Sequence, residues 1–148
     1  MTVGAPKLDF AGWPREQKLA LVVDANAYER HLTGQFLEIL GFTPQLAGDG
    51  RTAAKIFRAA ADDFAFVVVN AELPGVSGAE TIDMLRGIRG DLPIVYLTND
   101  LKHGNRLSRN DEAFDCLTTP ISFGQLEFAV RKATRLRRSP SFPPPLSP

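Results

Sequence analysis

Short unbroken apolar runs alternate along this chain with stretches in which apolar residues return every three or four positions. Leu19–Val23 is such a run and ends at Asp24, the pattern of a strand buried on both faces. Tyr28, Leu32, Phe36, Ile39 and Leu40 then recur at helical spacing, and Gly41 supplies a stop. A weaker second strand is predicted near Pro44–Ala47. A helix is predicted from about Thr52, with Ala53, Ile56, Phe57 and Ala60 on one face. Phe66–Val69 is the clearest strand, closed by Asn70 and followed by a Pro-Gly-containing loop. Next come a helix with Ile82, Leu85 and Ile88 inward, and a strand over Pro93–Leu97 ending at Thr98. The polar stretch Asn99–Asn110 is assigned a short helix, and Cys116–Thr118 a last strand before Pro120. Ser122 and Gln125 have capping-box spacing and open a helix through Phe123, Leu126, Val130 and Ala133.

Five strands alternating with five helices predict a doubly wound parallel sheet. In such sheets the functional residues gather where strands end, at the topological switch point. Asp24, Asn70, Thr98 and Thr119 all sit at predicted strand ends, so they are expected to converge. The remaining segments are a Gly- and Pro-containing stretch over residues 1–17, in which Phe10 and Trp13 could pack on the domain, and a tail over 135–148. From Ser139 that tail has five prolines in ten residues, the composition of a disordered or polyproline-like segment.

Composition narrows the class. The 148 residues suffice for one domain, here placed at 18–134, with a real core. No apolar run reaches the ~20 residues that span a bilayer, and the first residues lack the apolar stretch of a signal peptide. The lone Cys116 forms no internal disulfide and fits a reducing cytoplasm. Two histidines and one cysteine without ligand spacing argue against zinc. His31 and His103 are read as solvent residues, Glu72 as an exposed side chain and Cys116 as a small core residue. No nucleophile–base pair emerges, so no enzymatic activity is expected. Net charge is zero but uneven: Arg131, Lys132, Arg135, Arg137 and Arg138 stand without acids from residue 131 onward, leaving −5 on the first 130 residues.

The ordered pieces Leu21-Val22-Val23-Asp24, Val69-Asn70-Ala71-Glu72-Leu73-Pro74-Gly75, Leu92-Pro93-Ile94-Val95-Tyr96-Leu97-Thr98 and Thr119-Pro120-Ile121 resemble, in order and spacing, the response-regulator receiver (CheY-like) domains of bacterial signalling. The resemblance covers roughly residues 18–134 and implies a flavodoxin-like α/β fold, a doubly wound five-stranded parallel sheet with five helices. It also implies a phosphorylation site, and here the chain departs from the pattern. Where the family has paired acids after the first strand, this chain has Asp24 and Ala25. The phosphoacceptor position holds Asn70, whose amide is no adequate nucleophile. Thr98 is retained, the lysine before Pro120 is Thr119, and the aromatic switch position falls on Cys116.

A lone carboxylate binds Mg²⁺ weakly, so no cofactor is expected and Mg²⁺ binding should be weak or absent. Asp24 is read as a polar residue bonding loop amides, with phosphorylation at Asp24 a lesser alternative, and Thr98 as a hydroxyl serving local backbone. The expected function is that of a stand-alone pseudo-receiver acting by phosphorylation-independent protein contact. The resemblance places the partner face on the fourth helix, fifth strand and fifth helix, around Arg106–Asn110, Cys116–Thr118 and Phe123–Ala133. The alternative is a cyclic di-GMP effector acting on a motility or other signalling partner. The chain is similar in this respect to chemotaxis-type receivers with arginine-rich C-terminal segments, and the ligand would fall on Arg131, Arg135, Arg137 and Arg138. Arginine pairs bidentately with phosphate and stacks on bases. A solvated helix end, its cations complementing the dipole, is the plain reading of the same residues. Duplex DNA binding is not expected, since five charges lie on one short segment of an acidic body.

Overall fold

A computed structural model describes residues 17–108 and 111–134. Phe10, Trp13, Arg135, Arg137, Arg138 and the Pro-rich tail lie outside the described residues, as do Arg109 and Asn110 of the expected partner face. The strands are β1 (Leu19–Val23), β2 (Thr43–Ala47), β3 (Phe64–Asn70), β4 (Ile94–Thr98) and β5 (Phe114–Thr118). The helices are α1 (Ala27–Ile39), α2 (Gly50–Ala59), α3 (Gly78–Ile88), α4 (Leu101–Ser108) and α5 (Phe123–Ala133). All pairings are parallel, in the order β2-β1-β3-β4-β5. The expected five-stranded, five-helix α/β architecture is therefore what the chain adopts.

Period-two alternation divides the core into two layers. Ala20, Val22, Phe66, Val68, Val95 and Leu97 meet Leu37 and Leu40 at the α1 end and Leu126, Ala129, Val130 and Ala133 of α5 on one face. Leu21, Val23, Val67, Val69, Ile94 and Tyr96 meet Ala53, Ala54 and Phe57 of α2 and Ile82 and Leu85 of α3 on the other. Every residue of β3 except Asn70 is buried, and so is every residue of β4. That explains why these two strands read as continuous apolar runs.

The structure corrects several local expectations. In α1 the buried face is Thr33, Gly34 and Leu37, continued by Leu40, whereas Tyr28 is 75% and Ile39 49% exposed. A Cβ on Gly34 would lie 3.3 Å from the Leu46 side chain, so α1 approaches β2 through its smallest residue. Apolar spacing alone could not locate that contact. The second helix starts at Gly50 rather than Thr52, because Asp49 is its cap and accepts the Thr52 N–H at 2.8 Å. The third strand starts two residues earlier than Phe66, after a single 3₁₀ turn at Ala61–Asp63. Pro93 precedes the fourth strand, and its carbonyl accepts the Val67 N–H. The fifth strand begins at Phe114, because the polar Asp115 hides its start in the sequence. The capping box at Ser122 and Gln125 is present, and a second one joins Ser77 to Glu80.

Candidate functional site

Three strands deliver the site. β1 ends just before Asp24, β3 at Asn70 and β5 just before Thr119, whose N–H donates to the Thr98 carbonyl at 3.1 Å. Asp24 is only 3% exposed. Its Oδ1 accepts the Asn26 N–H at 3.0 Å, and Arg30 Nη1 donates to its backbone carbonyl at 2.7 Å. Asn26 in turn caps α1 by accepting the Glu29 N–H at 2.9 Å. The turn after β1 is thus saturated with local bonds.

Asn70 uses both ends of its amide. Its Oδ1 accepts the Glu72 N–H at 2.8 Å, and its Nδ2 donates toward Asp24 Oδ2 at 3.4 Å. The two partners fix the orientation, because a backbone donor must face oxygen and a carboxylate must face the NH₂ group. The loop behind Asn70 is held close by α3. A Cβ on Gly78 would come within 2.4 Å of the Asn70 carbonyl and 2.7 Å of Ala71 Cα. Only glycine can start this helix so near the strand end, and its N–H donates to Ala71 O at 3.0 Å.

An open recess of about 250 Å³ lies over these groups, lined by Asp24, Ala25, Asn26, Glu29, Asn70, Glu72, Asn99 and Thr119. Asp24, Asn70 and Thr119 therefore converge as expected, but the Thr98 side chain does not line the recess. Thr98 is 3% exposed, and its hydroxyl accepts the Asp100 N–H at 2.9 Å at the entrance to α4. Sequence reasoning missed Glu29 altogether and passed over Glu72 as merely exposed. Glu29 belongs to the first turn of α1, which brings it over the end of β1. Its place one turn after the predicted strand end was the available signal.

Around Thr98 the packing is tight. Cys116 is half-buried rather than a full core residue, and its Sγ donates to Asn105 Oδ1 at 3.3 Å. Burial, with the Asp115 charge adding to it, pushes the thiol above its ordinary value. A Cβ on Gly104 would lie 3.1 Å from Cys116 Sγ and 3.3 Å from Thr98 Cγ2, so α4 rests directly on β5. His103 is not a free solvent residue either, since its ring packs 5.9 Å from that of buried Tyr96, whereas His31 is exposed. Pro120 follows a cis peptide bond after Thr119. Of the four arginines read as a ligand site, only Arg131 is described. Its guanidinium pairs with Glu127 at 3.0 Å, one turn earlier on α5.

No described helix is long and apolar enough to cross a membrane. Over 131 residues the chain is 33% identical to the alkaline phosphatase synthesis transcriptional regulatory protein SphR of Synechococcus elongatus, covering 83% of this chain and 50% of that protein. It is 36% identical over 88 residues to the chemotaxis protein CheY-3 of Vibrio cholerae, covering 55% of this chain and 64% of that one. The chain thus spans about half the length of SphR. A receiver domain protein from Clostridium thermocellum has the same fold, with a TM-score of 0.73 at 22% identity over 80% of this chain and 95% of that one. The model of the response regulator receiver domain matches residues 20–131, and with this fold and site the chain belongs to that family of two-component signalling domains.

Proposed function

We propose that this receiver is a pseudo-receiver, which signals through protein–protein contact without being phosphorylated and without a bound metal. The bonding of Asn70 carries the reading. Its amide stands where a phosphoacceptor carboxylate would, and donates a proton toward Asp24 Oδ2 at 3.4 Å. Two carboxylates at that separation would repel and need a cation or a shared proton between them. An amide and a carboxylate need neither, so the pair is stable as it stands. The donor set fits Mg²⁺ poorly, because an NH₂ group faces the Asp24 oxygen that a hard cation would take. Among the described residues no group of three His, Cys, Asp or Glu side chains is arranged to hold a metal ion. Thr119 supplies no positive charge for a phosphoryl group, and nothing at the site offers an activated nucleophile.

The partner face is proposed on α4, β5 and α5. It is supported by Leu101, Leu107 and Phe128, three of the five large exposed apolar side chains among the described residues. The deciding experiment is incubation with acetyl phosphate and Mg²⁺ followed by intact-mass spectrometry. The expected result is no added phosphoryl group, whether on Asn70 or on the buried Asp24. A stoichiometric adduct would sink the reading. Cyclic di-GMP binding at the C-terminal arginines is a separate proposal, for which Arg131 would first have to leave Glu127. Calorimetry with the dinucleotide tests it, and no heat at high micromolar ligand rules it out.

A further inference from the structure

The outer face of α2 carries a stripe of positive charge. Arg51, Lys55 and Arg58 are exposed and stand at i, i+4 and i+7, so they share one side of the helix and extend about 10 Å along it. α2 has no acid of its own. None of the three side chains takes part in an ion pair or hydrogen bond among the described residues. Asp49, just ahead of the helix, is held by its cap bonds to the Thr52 N–H and hydroxyl. Elsewhere Arg30, Arg86, Arg89, Arg131 and Lys132 are each bound to an acid or a carbonyl. Stability does not explain the stripe. Like charges at i and i+4 weaken a helix, and Arg51 in the first turn opposes the macrodipole.

The surroundings of α2 select the kind of partner. The helix packs on the edge strand β2 and against α3. Thr43 and Ala47 turn their backbone groups toward β1, which leaves those of Pro44 and Leu46 facing outward. Pro44 has no N–H, so a strand added at this edge would meet a single donor within β2, that of Leu46. On the other side, α3 presents exposed Glu80 and Asp83, which repel a wide polyanion such as duplex nucleic acid or an anionic bilayer. The remaining exposed residues of α2 are Thr52 and Ala59, neither an aromatic platform for a base nor an apolar anchor for lipid. A single helix, about 10 Å across, can lie along α2 alone.

We propose that α2 docks a protein partner through an acidic helix whose Asp and Glu side chains repeat at the spacing of Arg51, Lys55 and Arg58. The two arginines would take carboxylates bidentately, and the stripe would speed encounter with an acidic surface. Thr52 and Ala59 are small enough to let the second helix approach. β2 and β5 are opposite edges of the sheet, so a partner on α2 leaves the α4, β5 and α5 face free. The domain would then bridge two proteins, one at each edge. This goes beyond the reading above and does not depend on whether Asn70 or Asp24 is phosphorylated.

The test is a ¹H–¹⁵N NMR titration of the full chain at low salt with a capped, alanine-based helical peptide of about 18 residues bearing Glu at i, i+4 and i+7. The same peptide with Gln in place of Glu, a short DNA duplex and phosphatidylglycerol vesicles serve as comparisons. Shifts centred on α2 that saturate at millimolar Glu peptide, and are absent with the Gln peptide, support the proposal. Each of Arg51→Ala, Lys55→Ala and Arg58→Ala should then weaken binding about threefold, the scale of one screened charge pair. The three together should abolish it, whereas Lys102→Ala with Arg106→Ala on α4 should leave it unchanged. Lys55→Gln, which keeps the helix propensity, decides the matter if the triple variant unfolds more readily. The absence of saturable shifts overturns the proposal, as does an equal response to the Gln peptide. Tighter binding of the duplex or of the vesicles at α2 overturns it too, in favour of a nucleic acid or a membrane.

Discussion

The two ends of the sheet treat charge in opposite ways. At the end where strands begin, arginines tie the chain together. Arg86 donates to the carbonyls of Leu92 and Ala113, just ahead of β4 and β5, and pairs with Asp111. Arg89 reaches the carbonyls of Ala61 and Phe64 around the start of β3, pairs with Asp91 and lies over the Phe57 ring. Planar guanidinium groups can satisfy several carbonyls at once. At the end where strands finish, Asp24, Glu29 and Glu72 face a recess that no lysine or arginine among the described residues lines. One rim pairs its charges across the chain; at the other, Asp24, Glu29 and Glu72 take part in none of the ion pairs among the described residues.

Arg86→Ala should show this contrast most strongly. It strands two carbonyls and Asp111 together, and the expected loss is about 3 kcal/mol of unfolding free energy in urea. A loss under about 1 kcal/mol would mean that the lower rim is not held by its arginines. A smaller effect is expected at alkaline pH. Burial raises the Cys116 thiol above its ordinary value of 9.0, and the Tyr96 phenol above 10.0. In each case the folded state holds the proton more tightly than the unfolded chain does. Their contribution is therefore full below the ordinary values, and is lost as pH rises through the raised ones. Urea midpoints measured from about pH 8 to about pH 10 should fall, and Cys116→Ser should flatten part of that decline. An unchanged slope would place the loss elsewhere.

How far the sequence revealed this contrast depended on the kind of residue. The apolar runs of β1, β3 and β4 announced themselves because those strands are buried on both faces. Their ends in turn placed Asp24 and Asn70 correctly. The face of α1 was read only in part: Phe36 and Leu40 pack inward as expected, but the contact with β2 is made through Gly34, which carries no hydrophobic signal. Thr98 was expected to converge with the other strand ends, and its side chain does not line the recess. The expectation that its hydroxyl serves local backbone agrees with its bond to the Asp100 N–H. Glu29 was overlooked as a site residue, although its place one turn after the predicted end of the first strand was a signal that it could reach the recess. The ties made by Arg86 and Arg89 were equally hidden, because their partners are backbone carbonyls distant in sequence.

The central claim is that the amide of Asn70 stands in for a metal-bridged pair of acids, and one measurement reaches it directly. Urea midpoints would be taken for the wild-type chain and for Asn70→Asp, with and without millimolar MgCl₂. The account predicts that the wild type is indifferent to Mg²⁺. The variant should lose about 1–2 kcal/mol from two facing carboxylates, and Mg²⁺ should restore most of it. A wild-type chain stabilised by Mg²⁺, or a variant unaffected both by the substitution and by the metal, would contradict it.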